Sequence, residues 1–463
     1  MAELSEFHCC HFTWQIPNQS LRRNRFLRDR IYTIEEEVKS QNEGKSKKRN
    51  YPQLLSLQAF LNVMLYRNKN EDEDENEDRL LENAESCLNQ ALKECNSISK
   101  EDEDEANGYR LVIYADFIHL HQYQPNENVE DYKEAYNDLI SQGLSGDEHP
   151  SVLAMKGFTA GHLDFLQDAI MWYQRALETM EKAEWLFGLA LAKLQLDYWR
   201  SKPTNNVGIQ NLLQQAIKLD PTYDMARIKL ARCLLDQHKK SNQNGAHLPQ
   251  MLVMQIKDLV DPIQTSNDHN GIGLNILEEI GSVYSRMDNF LDKGLRLSKE
   301  CRRRNPESMK ALRCLANAYF HKWKSSRNES ELKNSVKYFS QIISDLENSK
   351  MYDITMLGVV HLNASNFYLE KDGVKAQHHK AEWKICFEKV EELFHQGQLE
   401  VKEEIEMCHR LAWFYSDLRK PLKEREYWQK VLDINDKALR EGIRDFQESS
   451  YVKNAQEKLS EFQ

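Results

Sequence analysis

The chain has 463 residues, 29% of them charged, with a formal net charge of −11 and a mean hydropathy of −0.72. Its 17 glycines and 10 prolines are few for an α/β enzyme of this size, whose crossovers need turns. The acidic balance excludes a non-specific coat on nucleic acid, and no run reaches the ~18–20 apolar residues of a membrane span. Glu3, Glu6 and His8 interrupt the N-terminus, so it lacks the apolar stretch of a secretory signal. The 9 cysteines include no C-x-x-C pair, which predicts reduced thiols and no zinc site. Cys87, Cys233, Cys314, Cys386 and Cys408 fall in helical patterns and read as small apolar packing residues.

The elements in chain order are helical. After Cys10-His11-Phe12-Thr13-Trp14, the periodicity predicts a short helix where Arg22, Arg23, Arg25, Arg28 and Arg30 crowd beside Phe26, Leu27 and Ile31. Arginine forks on such a face suit phosphate; pairing with Glu35, Glu36 and Glu37 is the ordinary alternative. Residues 41–50 read as a basic loop, while 67–78 and 100–105 are acidic and read as solvated loops or frayed helix ends, with docking surfaces as the alternative. Gly157 is followed by Ala169, Tyr173 and Ala176 at the spacing of a tetratricopeptide unit, and Ala216 by the repeat-ending Leu219-Asp220-Pro221. A polar loop is expected over 237–250.

Further on, Ile280-Gly281-x-x-Tyr284, Leu315-Ala316-x-x-Tyr319 and Leu411-Ala412-x-x-Tyr415 repeat the first-helix pattern. There a small residue at the crossing lets two axes approach and an aromatic fills the groove. Gly281 to Ala316 is 35 residues; Ala316 to Ala364 and Ala364 to Ala412 are each 48, so longer helices or loops are inserted. Arg302-Arg303-Arg304, with Lys310 and Arg313, form a second basic concentration. The expectation is an all-α tetratricopeptide solenoid in three segments, 1–145, 146–262 and 263–463. No phosphate-cradling loop, dinucleotide fingerprint, His-Glu-x-x-His or nucleophile elbow occurs, and His361, His378 and His379 lack ligand-spaced partners. No catalytic residue, cofactor or metal is expected.

The pentapeptide Cys10–Trp14 resembles the N-terminal signature of the interferon-induced proteins with tetratricopeptide repeats. Leu27-x-x-Arg30, Gly157-Phe158, Gly188 through Leu196-Asp197, Leu219-Asp220-Pro221 with Ile228–Ala231, Val283-Tyr284, and Pro306 with Tyr319 continue the likeness in order, over about residues 9–40 and 146–345. The resemblance implies a right-handed superhelix around a central tunnel or groove. It also implies a cytoplasmic antiviral, interferon-induced effector that takes the 5′ end of single-stranded RNA, triphosphorylated or incompletely capped, and inhibits translation. Homo- or hetero-oligomers with family members and contacts with translation initiation factors are implied as well; DNA and membrane are not.

Residue by residue, the resemblance carries the family's N-terminal-helix arginine to Arg30 and the aromatic after the glycine to Phe158. His162, Gln195 and Glu278 stand where the family has a lysine and two arginines, and Arg313 stands where it has a histidine. Arg25, Arg28, Arg227 and Lys229 are the other cations offered for a rearranged pocket. Losing two charge-assisted contacts costs ~3–6 kcal/mol, or ~10²–10⁴ in affinity. The rival reading is a protein-interaction scaffold of the same family without 5′-end recognition. A co-chaperone-like peptide clamp ranks last, since no cluster of lysines and asparagines supports it.

Overall fold

Helical periodicity is realised along the chain: among the described residues every regular element is a helix. The computed structural model describes residues 9–14, 24–43, 50–68, 77–124, 128–144, 146–200, 207–241, 248–265, 273–344, 351–395, 401–440 and 449–462. It divides into two compact units, Met1–Ala226 and Arg227–Gln463, a division that falls inside the segment 146–262.

The first unit contains α1 (Asn24–Glu43), α2 (Tyr51–Arg67), α3 (Glu77–Asn96), α4 (Glu103–Leu120), α5 (Val129–Ser141), α6 (Pro150–His162), α7 (Leu166–Thr179), α8 (Ala183–Arg200) and α9 (Val207–Leu219). Sequential helices pair from α1 to α5 and from α6 to α9, and α6 also packs on α2, α4 and α8. Every residue of α2 from Tyr51 to Leu65 is buried. Its sequence YPQLLSLQAFLNVML is apolar on most faces, as a helix surrounded by others must be. Pro150 opens α6 at a position where its missing N–H costs nothing, and His149 caps that end by accepting from Ser151 N. Asp220 closes α9 by accepting from Thr222 N at 2.9 Å, and Pro221 cannot continue the helix.

The expected small-plus-aromatic device is present here. The Tyr173 ring on α7 lies against Gly157 of α6 and Gly188 of α8, so one ring fills the space that two missing Cβ atoms leave. A Cβ at Gly188 would lie 2.3 Å from Tyr173 Cζ, and that ring is buried. Gly188→Ala is therefore expected to destabilise the first unit by about 1–2 kcal/mol, overpacking outweighing the gain in helix propensity. An unchanged urea midpoint would show that the ring can yield.

The second unit takes most of α10 (Asp224–Ser241), then α11 (Gln250–Thr265), α12 (Leu274–Tyr284), α13 (Leu291–Arg304), α14 (Met309–Ser326), α15 (Glu329–Ser344), α16 (Met351–Tyr368), α17 (Gly373–His395), α18 (Val401–Asp417), α19 (Pro421–Arg440) and α20 (Ser450–Glu461). From α12 to α20 each helix packs on the next, with α12 also on α14 and α18 on α20, the nearest-neighbour pattern of a repeat stack. Gly281 sits at the crossing of α12 and α13, where a Cβ would already touch Leu297 Cβ at 3.4 Å. Gly294 lets α13 come closer still, since a Cβ there would meet the Ser285 backbone nitrogen at 2.4 Å.

Of the two forms expected for the acidic run at 100–105, loop or helix end, it takes the helix end. Lys100–Asp102 form one 3-10 turn, and Glu103, Asp104 and Glu105 make the first turn of α4, where unpaired N–H groups and the helix dipole favour negative charge. Glu103 pairs with Arg110, and Asp102 and Glu105 pair with Lys182. Residues 44–49, 69–76 and 242–247, parts of the three other expected loops, lie outside the described residues. Cys233, Cys386 and Cys408 are buried and Cys87 and Cys314 half-buried, in keeping with packing roles. Among the described residues no helix is long and apolar enough to cross a membrane.

Candidate nucleic-acid interface

The pentapeptide that looked most like a functional signature is a structural plug in the first unit. His11 is 1% exposed; its backbone N–H donates to Asp116 Oδ1 at 3.1 Å and its Nδ1 lies 2.8 Å from Asp116 Oδ2. A carboxylate only accepts, so Nδ1 carries the proton and, in the neutral ring, Nε2 accepts from the Thr159 hydroxyl 3.0 Å away. Ser56 Oγ donates to the same Asp116 oxygen at 2.7 Å. One turn of chain is thus fastened to α2, α4 and α6 by a carboxylate that is itself 1% exposed. His11 and Phe12 then pack their rings on Phe60, at 5.4 and 5.3 Å between centroids. Burial pushes the Cys9 thiol up to about 11 and Cys10 well above its usual value, so neither is a ready nucleophile.

Three of the expected ligand residues lie close together in the same unit. Arg30 on α1 pairs with Asp164, just beyond α6, and its guanidinium sits 5.1 Å from the centre of the Phe26 ring. Phe158 is 6% exposed in the core, with the His162 ring 4.1 Å away on the next turn of α6. The half-buried His162 has Nδ1 3.0 Å from the Phe158 carbonyl and Nε2 4.0 Å from Glu37. Gln195 is exposed on α8. The side chain of Arg25 lies outside the described ones. Phe158 is therefore a core residue, and Arg30 faces the Asp164 carboxylate.

A second set lies in the other unit, on three helices. Lys229 and Arg232, three residues apart and so on one face of α10, both reach Glu279 of α12, at 3.3 and 2.6 Å. Its neighbour Glu278, 3% exposed, accepts from Lys310 of α14 at 3.1 Å. Burial works to raise the Glu279 carboxyl, but Lys229, Arg232 and Lys310 overcome it and hold the group at about 2. Lys229 faces the reverse balance: burial, helped by Arg232 and Lys310, lowers its ammonium despite Glu279. Lys310 rises above its usual range, because the attraction of Glu278 and Glu279 exceeds the effect of burial. Three cations thus share two carboxylates, and Lys310 keeps 53% of its side chain exposed.

Arg313, one turn beyond Lys310, is committed elsewhere. Its Nε and Nη2 form a fork on Asp353 of α16, with contacts of 2.7–2.9 Å to a carboxylate that is fully buried. Freeing it would strand that carboxylate at a cost of ~3–5 kcal/mol, more than the ~1.5–3 kcal/mol of a phosphate contact. Arg303 and Arg304 both turn back to Glu300 in their own helix, the solvated-face alternative. Arg227 is half-buried. Arg232 was missed by sequence reasoning, although its spacing from Lys229 is the signal that would have found it.

No protein-family model and no curated protein matches the sequence. Solved structures do. A monomeric mutant of IFIT1 holding m7Gppp-AAAA superposes with a TM-score of 0.61 at 17% identity, over 94% of this chain and 86% of that one. The human IFIT1 dimer with PPP-AAAA gives 0.59 at 16% identity, over 100% and 89%. The human IFIT1 dimer with m7Gppp-AAAA gives 0.53 at 14%, over 94% and 99%. The chain has the IFIT1 fold. The all-α repeat fold expected from Cys10–Trp14 and the repeat residues is therefore the one found. At this identity the likeness extends to the helical framework, and the side chains lining it are the chain's own.

Proposed function

We propose that the chain is a non-enzymatic, cytoplasmic antiviral effector that binds the 5′ end of single-stranded RNA and so inhibits translation. Its IFIT1-like fold carries this reading, because the similar IFIT1 structures hold short RNAs with a capped or triphosphate end. The phosphate-holding cations proposed are Lys310 and Arg232, supported by Lys229, since the three share only Glu278 and Glu279 in their ion pairs and keep solvent-facing surface. The IFIT1 dimers make self-association, or association with similar chains, part of the proposal. Contact with translation initiation factors is proposed from the family resemblance.

The test is filter binding of triphosphate-, monophosphate- and cap-ended single strands across a salt series. End preference and a negative log–log slope are expected. Arg232→Gln leaves Glu279 with Lys229, and Lys310→Gln combined with Glu278→Gln strands no buried charge. Each is expected to weaken triphosphate binding about tenfold or more and to flatten the slope by about 0.7. Parental affinity in both would remove this cluster from the interface.

The scaffold reading has one specific support: Arg30, carried over from the family, and Arg313, at the place of the family's histidine, are both held by carboxylates of this chain. Equal, weak binding to every RNA end would favour it.

A further inference from the structure

Helix α14 closes on a residue type that its backbone does not favour. Arg327 stands at φ 56° and ψ 22°, in the left-handed region, with its N–H bonded to the Trp323 carbonyl at 2.7 Å. Glycine is the usual residue at that position, and a side chain there costs about 1–2 kcal/mol. The Arg327 guanidinium lies 5.1 Å from the centre of the Trp323 ring and 5.2 Å from that of Phe367 on α16. Stacking at an exposed site contributes about 0.5–1 kcal/mol per ring, which at most matches the backbone cost. The fold itself therefore gains no stability from having arginine there.

Its charge is also left over. Arg30, Arg175, Arg232, Arg286 and Arg313 each reach a carboxylate of another element. Among the described residues, neither the exposed Arg327 nor the exposed Lys371, in the turn between α16 and α17, forms an ion pair. Lys371 Nζ sits 4.1 Å from the centre of the same Phe367 ring, so one aromatic gathers both charges. Two neighbouring acids are engaged: Glu329 holds Lys375 at 3.0 Å and Lys333 at 3.5 Å, and Asp372 accepts from the Lys375 N–H at 3.1 Å. Exposed Glu370 sets one negative charge against Arg327, Lys371 and the exposed Lys324.

The same turn carries apolar side chains into water, with Leu369 70% and Val374 79% exposed. Single exposed aliphatic residues are ordinary, but these flank Lys371 on both sides. Nucleic acid would use the cations and leave Leu369 and Val374 wet. A bilayer would hold two short side chains weakly, since even a whole myristoyl chain binds only marginally. A peptide that alternates carboxylates with aliphatic residues complements both features at once.

We propose that this surface docks an acidic segment of a partner protein, in which aspartate or glutamate carboxylates flank aliphatic residues. The Arg327 fork, laid on two rings, takes one carboxylate with little loss of freedom, and Lys371 takes a second. Aliphatic residues of the segment then cover Leu369 and Val374. The surface goes beyond the RNA reading and does not depend on it: Lys310 lies in the first turn of α14 and Arg327 closes the other end.

The experiment is fluorescence polarisation of the full chain at low salt with a labelled Glu-Leu-Glu-Asp-Leu-Glu peptide. Its uncharged glutamine and asparagine counterpart and its serine-for-leucine counterpart are the controls. Saturable binding of the acidic peptide, about tenfold tighter than either control, is expected. Arg327→Gly removes the cation and relieves the backbone, so binding should weaken about tenfold while the thermal midpoint holds or rises. Lys371→Gln, at an exposed position, should weaken it about threefold or more and keeps the test usable if the glycine variant folds poorly. Both variants should bind triphosphate RNA like the parent. No saturable peptide binding, equal affinity for either control, or parental affinity in either variant would overturn the proposal. Variants that lose binding to RNA or to phosphatidylserine vesicles, and keep it for the peptide, would overturn it too, assigning the surface to nucleic acid or to a membrane.

Discussion

Asp116→Ala is expected to cost the first unit about 3–5 kcal/mol, from three hydrogen bonds to one buried carboxylate lost together with the packing of its side chain. The side chain accepts from the His11 backbone, the His11 ring and the Ser56 hydroxyl, all inside a core that water does not reach. Alanine leaves those donors without an acceptor and opens a void beside the His11 ring, which stacks on Phe60 at 5.4 Å. At ~2–4 °C per kcal/mol for a unit of this size, the melting temperature should fall by ~6–20 °C. Hydrogen exchange adds a local readout: the His11 amide should lose protection more than the helices of the second unit. A loss under about 1 kcal/mol would mean that the pentapeptide is not the fastening described.

The second large effect is expected from Asp353→Ala. That carboxylate is fully buried and holds both arms of the Arg313 fork, so its removal leaves a guanidinium facing a hole. A loss of about 3–5 kcal/mol in the second unit is expected, with the first unit's stability unchanged. Combining Asp353→Ala with Arg313→Met should recover most of the loss, because a buried pair exchanged for apolar packing is often neutral. The double variant also separates structure from function. If it binds triphosphate RNA like the parent while Arg232→Gln does not, Arg313 serves to join α14 to α16. If the double variant instead loses RNA binding, Arg313 belongs to the interface after all.

The two units were legible to different depths. Gly157 and Tyr173 could be read because a helix converts spacing along the chain directly into position on a face, whereas Gly188 entered only through the family resemblance. The same logic placed Gly281 at its crossing and Asp220-Pro221 at the end of α9. Ion pairs were not legible. Arg30 and Asp164 are 134 residues apart and Arg313 and Asp353 are 40, so no local pattern connects them. Reading Glu278 as a simple reversal of charge likewise missed Lys310, which sits beside it on another helix. Arg232 was missed too, although as a helix-face neighbour of Lys229 it was within reach of local spacing.

From periodicity and bulk composition came the helical class, the repeat stack and the absence of a membrane-spanning run, while the IFIT-like fold came from the resemblance that Cys10–Trp14 carries. The tertiary structure alone decided what the charged groups face. It turned Cys10–Trp14 from a signature into a fastening and tied Arg30 and Arg313 to carboxylates. The physical reason is range: helix periodicity is set within a few residues, whereas the field at a side chain is set by whatever folding brings within a few ångströms.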